Sequence, residues 1–160
     1  MDLNGWSQTG SKMCALRWAF VLALGAAAPA ACERPEAQAP AVRQDVAQAL
    51  ADAEAQQRPV VLFFHASWCS ACRALRSTSL ADARVGEALG RAQATVVQVE
   101  VGTDFTTSAP LPEHLTPRAL GVVGLPTLVY LDGRQGLAPQ ARLSGYVGPQ
   151  RLIEWLTSAP

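Results

Sequence analysis

The feature that most constrains the fold is a pair of cysteines, Cys69 and Cys72, placed where an apolar run at residues 60–64 gives way to a helix-like sequence. A strand that turns directly into a helix puts Cys69 at the helix N-terminus, where unpaired N–H groups and the helix dipole favour a thiolate. Residues three apart share one helical face, so the two sulfur atoms are close enough to form a disulfide and reopen it. The spacing therefore predicts a redox-active dithiol.

Half of a structural zinc site is the alternative explanation for this spacing. Tetrahedral zinc needs four ligands, and no second C-x-x-C follows in the sequence. We therefore expect no metal at the pair, and no cofactor beyond the redox-active Cys69–Cys72 disulfide itself.

Length and charge narrow the class of protein. A chain of 160 residues with 49% hydrophobic content can bury the core of one domain. Its 13 basic and 13 acidic residues balance, so no broad field attracts nucleic acid or an anionic membrane surface. We expect no nucleic-acid partner.

Residues 1–31 are typical of a signal peptide rather than of a folded segment. Lys12 and Arg17 precede an apolar run at 18–28, which is too short for an ordinary membrane span, and small residues follow at 28–31. Cys32 after two alanines resembles a lipoprotein cleavage site, where the cysteine becomes lipidated. Cleavage after Ala30 by the ordinary signal peptidase is the competing interpretation, and both predict export.

Only two of the four cysteines are expected to lie inside the folded domain. Residues 32–41 are rich in proline, alanine and charge, which predicts a flexible tether before a domain at 42–160. Cys14 leaves with the leader, so Cys69 and Cys72 are the only pair inside that domain. An exported domain that keeps a single C-x-x-C, without structural disulfides, is expected to use it for exchange.

Hydrophobic periodicity predicts alternating helices and strands after the tether. The predicted helices cover residues 42–57, 70–80, 82–89, 113–120 and 150–156, and the predicted strands cover 60–64, 94–101, 128–131 and 141–146. This mixture indicates an α/β domain with a central mixed sheet flanked by helices on both faces.

Two separated signatures, the Trp-Cys-x-x-Cys at 68–72 and the Gly-Leu-Pro-Thr at 124–127, together resemble the thioredoxin superfamily. More narrowly, residues 58–156 are similar to the C-terminal periplasmic domain of the thiol:disulfide interchange protein DsbD, through segments 66–72, 121–127 and 139–146. The resemblance implies a thioredoxin-like fold in which Pro126 is cis and faces the dithiol.

The resemblance also implies roles for individual residues. Cys69 would be the exposed attacking thiolate, and the more buried Cys72 would resolve the mixed disulfide. Pro126 would hold the backbone of Leu125 beside the dithiol for an extended substrate, although an ordinary strand-entry proline is the alternative. Trp68 either shields the sulfurs or packs in the core.

Two positions depart from the pattern of the DsbD domain. That domain has a buried aspartate where this chain has Phe63, and a glutamate where this chain has Arg76. Without the buried aspartate, deprotonation of Cys72 needs water or another base. His65 lies two residues along the same predicted strand, hence on the same face, and is a candidate proton relay. A histidine without a role, and an Arg76 on a solvated helix face, are the alternatives.

The expected activity is that of a periplasmic thiol:disulfide oxidoreductase, acting mainly as a reductant, as the DsbD resemblance implies. A membrane-embedded thiol reductase would supply electrons, and oxidised periplasmic proteins, such as cytochrome c maturation factors, would receive them. Contact with the membrane is expected only through a lipid anchor. A copper carrier that uses Cys69, Cys72 and His65 as ligands is the alternative function.

Overall fold

The computed structural model describes residues 42–159. The signal peptide predicted at 1–31, Cys32 and the tether predicted at 32–41 lie outside these residues. No helix in the described part of the chain is long and apolar enough to cross a membrane.

A five-stranded mixed sheet forms the centre of the domain, in the order β1-β3-β2-β4-β5. Strands β1 and β2 both run parallel to β3, whereas β4 is antiparallel to β2 and to β5. The strands are β1 Val42–Arg43, β2 Val60–His65, β3 Thr95–Glu100, β4 Thr127–Asp132 and β5 Ala138–Ser144. The helices are α1 Val46–Ala55, α2 Ser70–Ala74, α3 Ala83–Ala92 and α4 Pro149–Ser158, with a π-helical turn at Leu75–Ser79 and 3-10 turns at Glu113–Leu115 and Gly133–Gln135.

The central strand β2 carries the dithiol at its far end. Residues 60–64 are at most 1% exposed, so both faces of the sheet are covered at its centre. A continuous apolar run is what such a strand requires, because alternate side chains point to opposite faces and both must be buried. The predicted mixed sheet, covered on both faces, is confirmed.

Helix boundaries follow local signals. The carboxylate of Asp82 accepts the backbone N–H of Arg84 and caps α3, where a side-chain oxygen satisfies a free N–H of the first turn. Pro149 occupies the first turn of α4, where its missing N–H costs nothing. The buried side of α4 includes Trp155, whose ring meets Tyr130 of β4 edge-on at 6.2 Å between centroids.

Two predicted helices are wrong in extent. Residues 42–43 form strand β1 instead of a helix, because they pair with Val96 and Val97 of β3, and the helix begins only at Val46. The helix predicted at 113–120 is reduced to a single 3-10 turn. Pro117 forces an extended backbone on Thr116 (φ −65°, ψ 151°), which ends the turn.

Strand boundaries differ less from those predicted. The last strand, expected at 141–146, occupies 138–144 and pairs antiparallel with β4. It starts early because Ala138 pairs with Asp132, and it ends before Gly145, whose φ of +85° lies outside the extended region.

The helix that begins after Cys69 changes from α-helical to π-helical hydrogen bonding after about one turn. Residues 70–74 are α-helical and Leu75–Ser79 are π-helical. The fully buried Ser79 donates its hydroxyl to the carbonyl of Val147 at 2.6 Å, and Thr78 lies 3.2 Å from the Tyr146 hydroxyl. These bonds attach the helix to the segment that follows β5.

Replacing Leu62 by alanine tests the role of β2 in the core. Leu62 is 0% exposed in the middle of the strand. We expect Leu62→Ala to lower the free energy of unfolding by about 3 kcal/mol, through lost burial and a residual cavity. Urea denaturation measures the change. Val42→Ala, at a position 46% exposed, is the control and should change stability by less than about 0.5 kcal/mol.

Candidate active site

A disulfide joins Cys69 and Cys72, whose Cα atoms are 5.3 Å apart. Cys69 is the N-cap of α2, and its sulfur accepts the backbone N–H of Cys72 at 3.1 Å. A free N–H of the first helical turn, that of Cys72, therefore points at the Cys69 sulfur, and it would stabilise negative charge there once the disulfide opens. In this oxidised form Cys69 is 7% exposed and Cys72 is 3% exposed. Cys69 is therefore buried here, whereas the resemblance implied an exposed sulfur, and it is only slightly more exposed than Cys72.

The turn before the dithiol is held from two sides. The Ser67 carbonyl accepts from Nη1 of Arg73 at 2.9 Å, and the Ser67 N–H donates to the Glu100 carboxylate at 3.2 Å. Trp68, the next residue, is 56% exposed. It therefore does not pack in the core, which was one of its two expected roles, and its ring stands at the surface beside Cys69.

The loop that leads into β4 lies at the same end of the sheet as the dithiol. Thr127, the first residue of β4, pairs with Phe64 near the end of β2. The Leu125–Pro126 peptide bond is cis, Pro126 is buried and Leu125 is half-buried. The Pro126 carbonyl accepts the N–H of Gly145 at 2.8 Å, which attaches the loop to the end of β5.

A cavity of about 380 Å³ lies behind Cys72. The walls combine aromatic, amide and charged side chains, namely Phe63, His65, Cys72, Arg76, Gln98 and Glu100. Phe63 and His65 share one face of β2, with their rings 5.2 Å apart, and Gln98 and Glu100 lie beside them in the parallel register of β3. Cys72 therefore borders a polar cavity large enough for several water molecules.

The family described as "Thioredoxin-like domain" matches residues 46–160, well over half of the chain. The chain belongs to this family. Its fold agrees with that of a thioredoxin from Thermus thermophilus, which is 29% identical with a TM-score of 0.58 over 72% of this chain and 85% of that one.

Curated relatives of this thioredoxin-like chain are DsbD proteins. The "Thiol:disulfide interchange protein DsbD" of Salmonella paratyphi A is 34% identical over 119 residues, which are 71% of this chain and 20% of the relative. The chain therefore spans about a fifth of the length of the relatives it matches. The DsbD C-terminal domain of Neisseria meningitidis, in its reduced form, shares the fold at 23% identity, with a TM-score of 0.54 over 74% of this chain and all of that one.

Phe63 and Arg76, which replace carboxylates of the DsbD pattern, both border the cavity beside Cys72. Phe63 is 1% exposed, so an aromatic ring fills the place of the carboxylate in the resembled pattern. Arg76 is exposed but turns toward the cavity, where its Nη1 lies 3.4 Å from Oε1 of the buried Gln98. It is not simply a solvated side chain on the outer face of the helix.

His65 is half-buried in the cavity wall, and it meets opposing charges there. Burial lowers the pKa of its imidazole below the ordinary value of 6.5, the Glu100 carboxylate raises that pKa, and the Arg76 guanidinium lowers it. The net pKa is lowered, so the imidazole is neutral near pH 7 and has a nitrogen free to accept a proton.

Gln98 and Glu100 are among the residues of this cavity that were not singled out in the sequence. Gln98 and Glu100 reach the site because β3 lies parallel to β2. The available signal was a glutamine inside the valine-rich run at 94–101, since a polar residue in a buried strand usually has a specific partner. The register that puts it beside Phe63 could not be read from the chain.

The described residues 42–159 contain no group of three or more His, Cys, Asp and Glu side chains placed to hold a metal ion. His65 and the two disulfide-bonded cysteines thus do not form a three-ligand site in this conformation.

The lowered pKa of His65 predicts a pH dependence of stability. The unfolded chain binds this proton more readily than the folded protein, so stability falls as the pH drops below about 6.5. Carboxyl groups with lowered pKa values, ordinarily 3.8, lose their contribution only at lower pH. We expect His65→Gln to reduce the loss of stability between pH 7 and pH 5, measured as urea midpoints. His114→Gln, at an exposed position, is the control, and an unchanged slope in His65→Gln would contradict the assignment.

Proposed function

We propose that this protein is a periplasmic thiol:disulfide oxidoreductase that reduces disulfides of exported proteins through Cys69 and Cys72. The observation that supports this most directly is the position of the Cys69 sulfur. It caps α2 and accepts the N–H of Cys72 at 3.1 Å, which favours the thiolate needed for attack. Membership of the thioredoxin-like family and the similarity to DsbD proteins agree with this chemistry.

The reaction starts from the reduced dithiol. The Cys69 thiolate attacks one sulfur of a client disulfide, forming a mixed disulfide and releasing the first client sulfur as a thiolate. Cys72 then loses its proton and attacks the Cys69 sulfur, which breaks the mixed disulfide and releases the second client thiolate. The client gains two electrons and two protons, and the protein is left with the Cys69–Cys72 disulfide.

Client binding uses the surface beside the dithiol. Trp68 offers an exposed aromatic face, and Leu125 is half-exposed immediately before Pro126. An extended client segment can add main-chain hydrogen bonds to the backbone of Leu125 in the manner of an added strand. The disulfide of such a segment then lies over Cys69.

The cavity behind Cys72 takes over proton handling from the missing carboxylate. Neutral His65 accepts the Cys72 proton, directly or through water held in the cavity, when Cys72 attacks. Gln98 and Glu100 supply further hydrogen-bonding groups to that water. His65 therefore acts as the proton relay of the resolving step.

Location and partners follow from the leader and from the relatives. The signal peptide at 1–31 directs export, Cys32 is the candidate lipid attachment point, and residues 32–41 tether the domain at 42–160. The DsbD relatives are named as thiol:disulfide interchange proteins, and we propose that a membrane-embedded thiol reductase regenerates the dithiol. Oxidised periplasmic proteins, with cytochrome c maturation factors among them, are the proposed clients.

Single cysteine variants test the order of attack. Cys72→Ala keeps the attacking sulfur but removes the resolving one, so we expect the reduced variant to attack disulfides of insulin or of oxidised periplasmic proteins and to accumulate the covalent mixed disulfide. Cys69→Ser should form none, although it retains Cys72. Non-reducing gels and mass spectrometry detect the adducts. Equal trapping by the two variants would contradict the assigned order.

The pH dependence of the resolving step tests His65. We expect the rate at which the mixed disulfide breaks down to fall on acidification, as His65 becomes protonated, and His65→Phe to lose this acidic limb. At pH 7 the variant should be slower by about a hundredfold, the lower end of what a positioned general base contributes. Rapid-quench kinetics give the rates, with His114→Phe as the control. Superimposable profiles for wild type and His65→Phe would end the relay hypothesis.

A further inference from the structure

An arginine on the edge strand β5 holds the start of the loop that leads to Pro126. The Nη1 atom of Arg142 donates to two consecutive backbone carbonyls, those of Leu120 at 2.8 Å and Gly121 at 2.6 Å. Hydrogen bonds from a charged donor are stronger than neutral ones. Arg142 makes no ion pair with a carboxylate in residues 42–159, so its charge is directed at these two carbonyls.

The backbone at Gly121 is shaped to receive this side chain. Its φ is +63°, a region that glycine enters without steric cost. A Cβ atom at this position would lie only 2.8 Å from Nη1 of Arg142, closer than carbon and nitrogen can approach. The glycine therefore allows both the turn and the close approach of the guanidinium.

The loop beyond this turn is held at both ends and exposed between them. Val122 is 7% exposed and anchors the loop in the core, whereas the next residue, Val123, is 92% exposed. At the far end, the Pro126 carbonyl accepts the N–H of Gly145. An exposed aliphatic side chain on an otherwise fixed loop, at the dithiol end of the sheet, is suited to contact another molecule.

We propose that Arg142 is a positioning residue for client binding, and this inference rests on the proposed function. By holding the Leu120 and Gly121 carbonyls, it fixes the loop at 120–126 in the shape that presents Val123 and Leu125 to an extended polypeptide client. A loop that is already ordered loses less entropy when the client binds, which increases the rate of productive encounter. Arg142 itself touches neither the sulfur atoms nor the client.

The test compares a polypeptide disulfide with a small one. Fully reduced protein is mixed with insulin or with bis(2-hydroxyethyl) disulfide, and fluorescence follows its oxidation, since Trp68 adjoins the dithiol. Insulin uses the loop, whereas the small disulfide has no peptide backbone to bind it. Arg142→Gln removes the positive charge that holds the Leu120 and Gly121 carbonyls, and Gly121→Ala disturbs the same contact from the loop side. Arg142→Lys keeps a positively charged donor at residue 142. Arg151→Gln removes another exposed arginine, whose carboxylate partner Glu154 lies on its own helix, and is the matched control.

We expect Arg142→Gln and Gly121→Ala to slow the reaction with insulin about fivefold, the factor that corresponds to a free-energy change of about 1 kcal/mol. Their rates with bis(2-hydroxyethyl) disulfide should stay within about twofold of wild type. Because both hydrogen bonds come from a single nitrogen, the ammonium of Arg142→Lys should restore most of the insulin rate. Arg151→Gln should match wild type with both disulfides.

Three results would overturn the inference. These are an unchanged insulin rate in Arg142→Gln, an equal loss with both disulfides, and a loss in Arg142→Lys as large as in Arg142→Gln. Each of them leaves the proposed function intact as long as wild type reduces insulin. Failure of wild-type protein to reduce insulin or the small disulfide would instead remove the proposed function itself.

Discussion

The chemistry of this domain depends on one contact, the hydrogen bond from the Cys72 N–H to the Cys69 sulfur at the start of α2. A sulfur in this place replaces the oxygen of an ordinary N-cap, so the helix that it caps also favours its ionised form. The contact exists because β2 ends and α2 begins within five residues, and the buried run at 60–64 fixes where β2 ends. Core packing and reactivity are thus joined through one strand.

Local features of the sequence were sufficient for much of this arrangement. The apolar run at 60–64 and the cysteine spacing are short-range signals, and the structure has the strand and the helix that they predict. The features that were missed depend on partners distant in sequence. Strand β1 forms because β3 is beside it, and a helix was predicted there because periodicity does not register an available sheet edge.

The same limit applies to the site. His65 was found through its place on the strand of Phe63, whereas Glu100 and Gln98 enter the cavity only through the parallel register of β2 and β3. Arg142 reaches carbonyls 21 and 22 residues earlier in the chain, and no local pattern indicates such a contact. Phe63 stands where the DsbD-like pattern has a buried carboxylate. The half-buried imidazole of His65 lies next to that ring, in the wall of the polar cavity. In the proposed function this imidazole accepts the proton of Cys72, and a neutral group there avoids burying a charge in the core.

The Cys69–Cys72 pair is proposed to act as a reductant, and its equilibrium reduction potential decides between reduction and oxidation of clients. The measurement incubates the domain in glutathione buffers of defined ratio and quantifies the reduced and oxidised forms after acid quenching and thiol alkylation. For a reductant we expect a potential more negative than about −200 mV, in the range of thioredoxin-like reductants. A less negative value, approaching the −120 mV or so of a strong disulfide-forming oxidase, would contradict it.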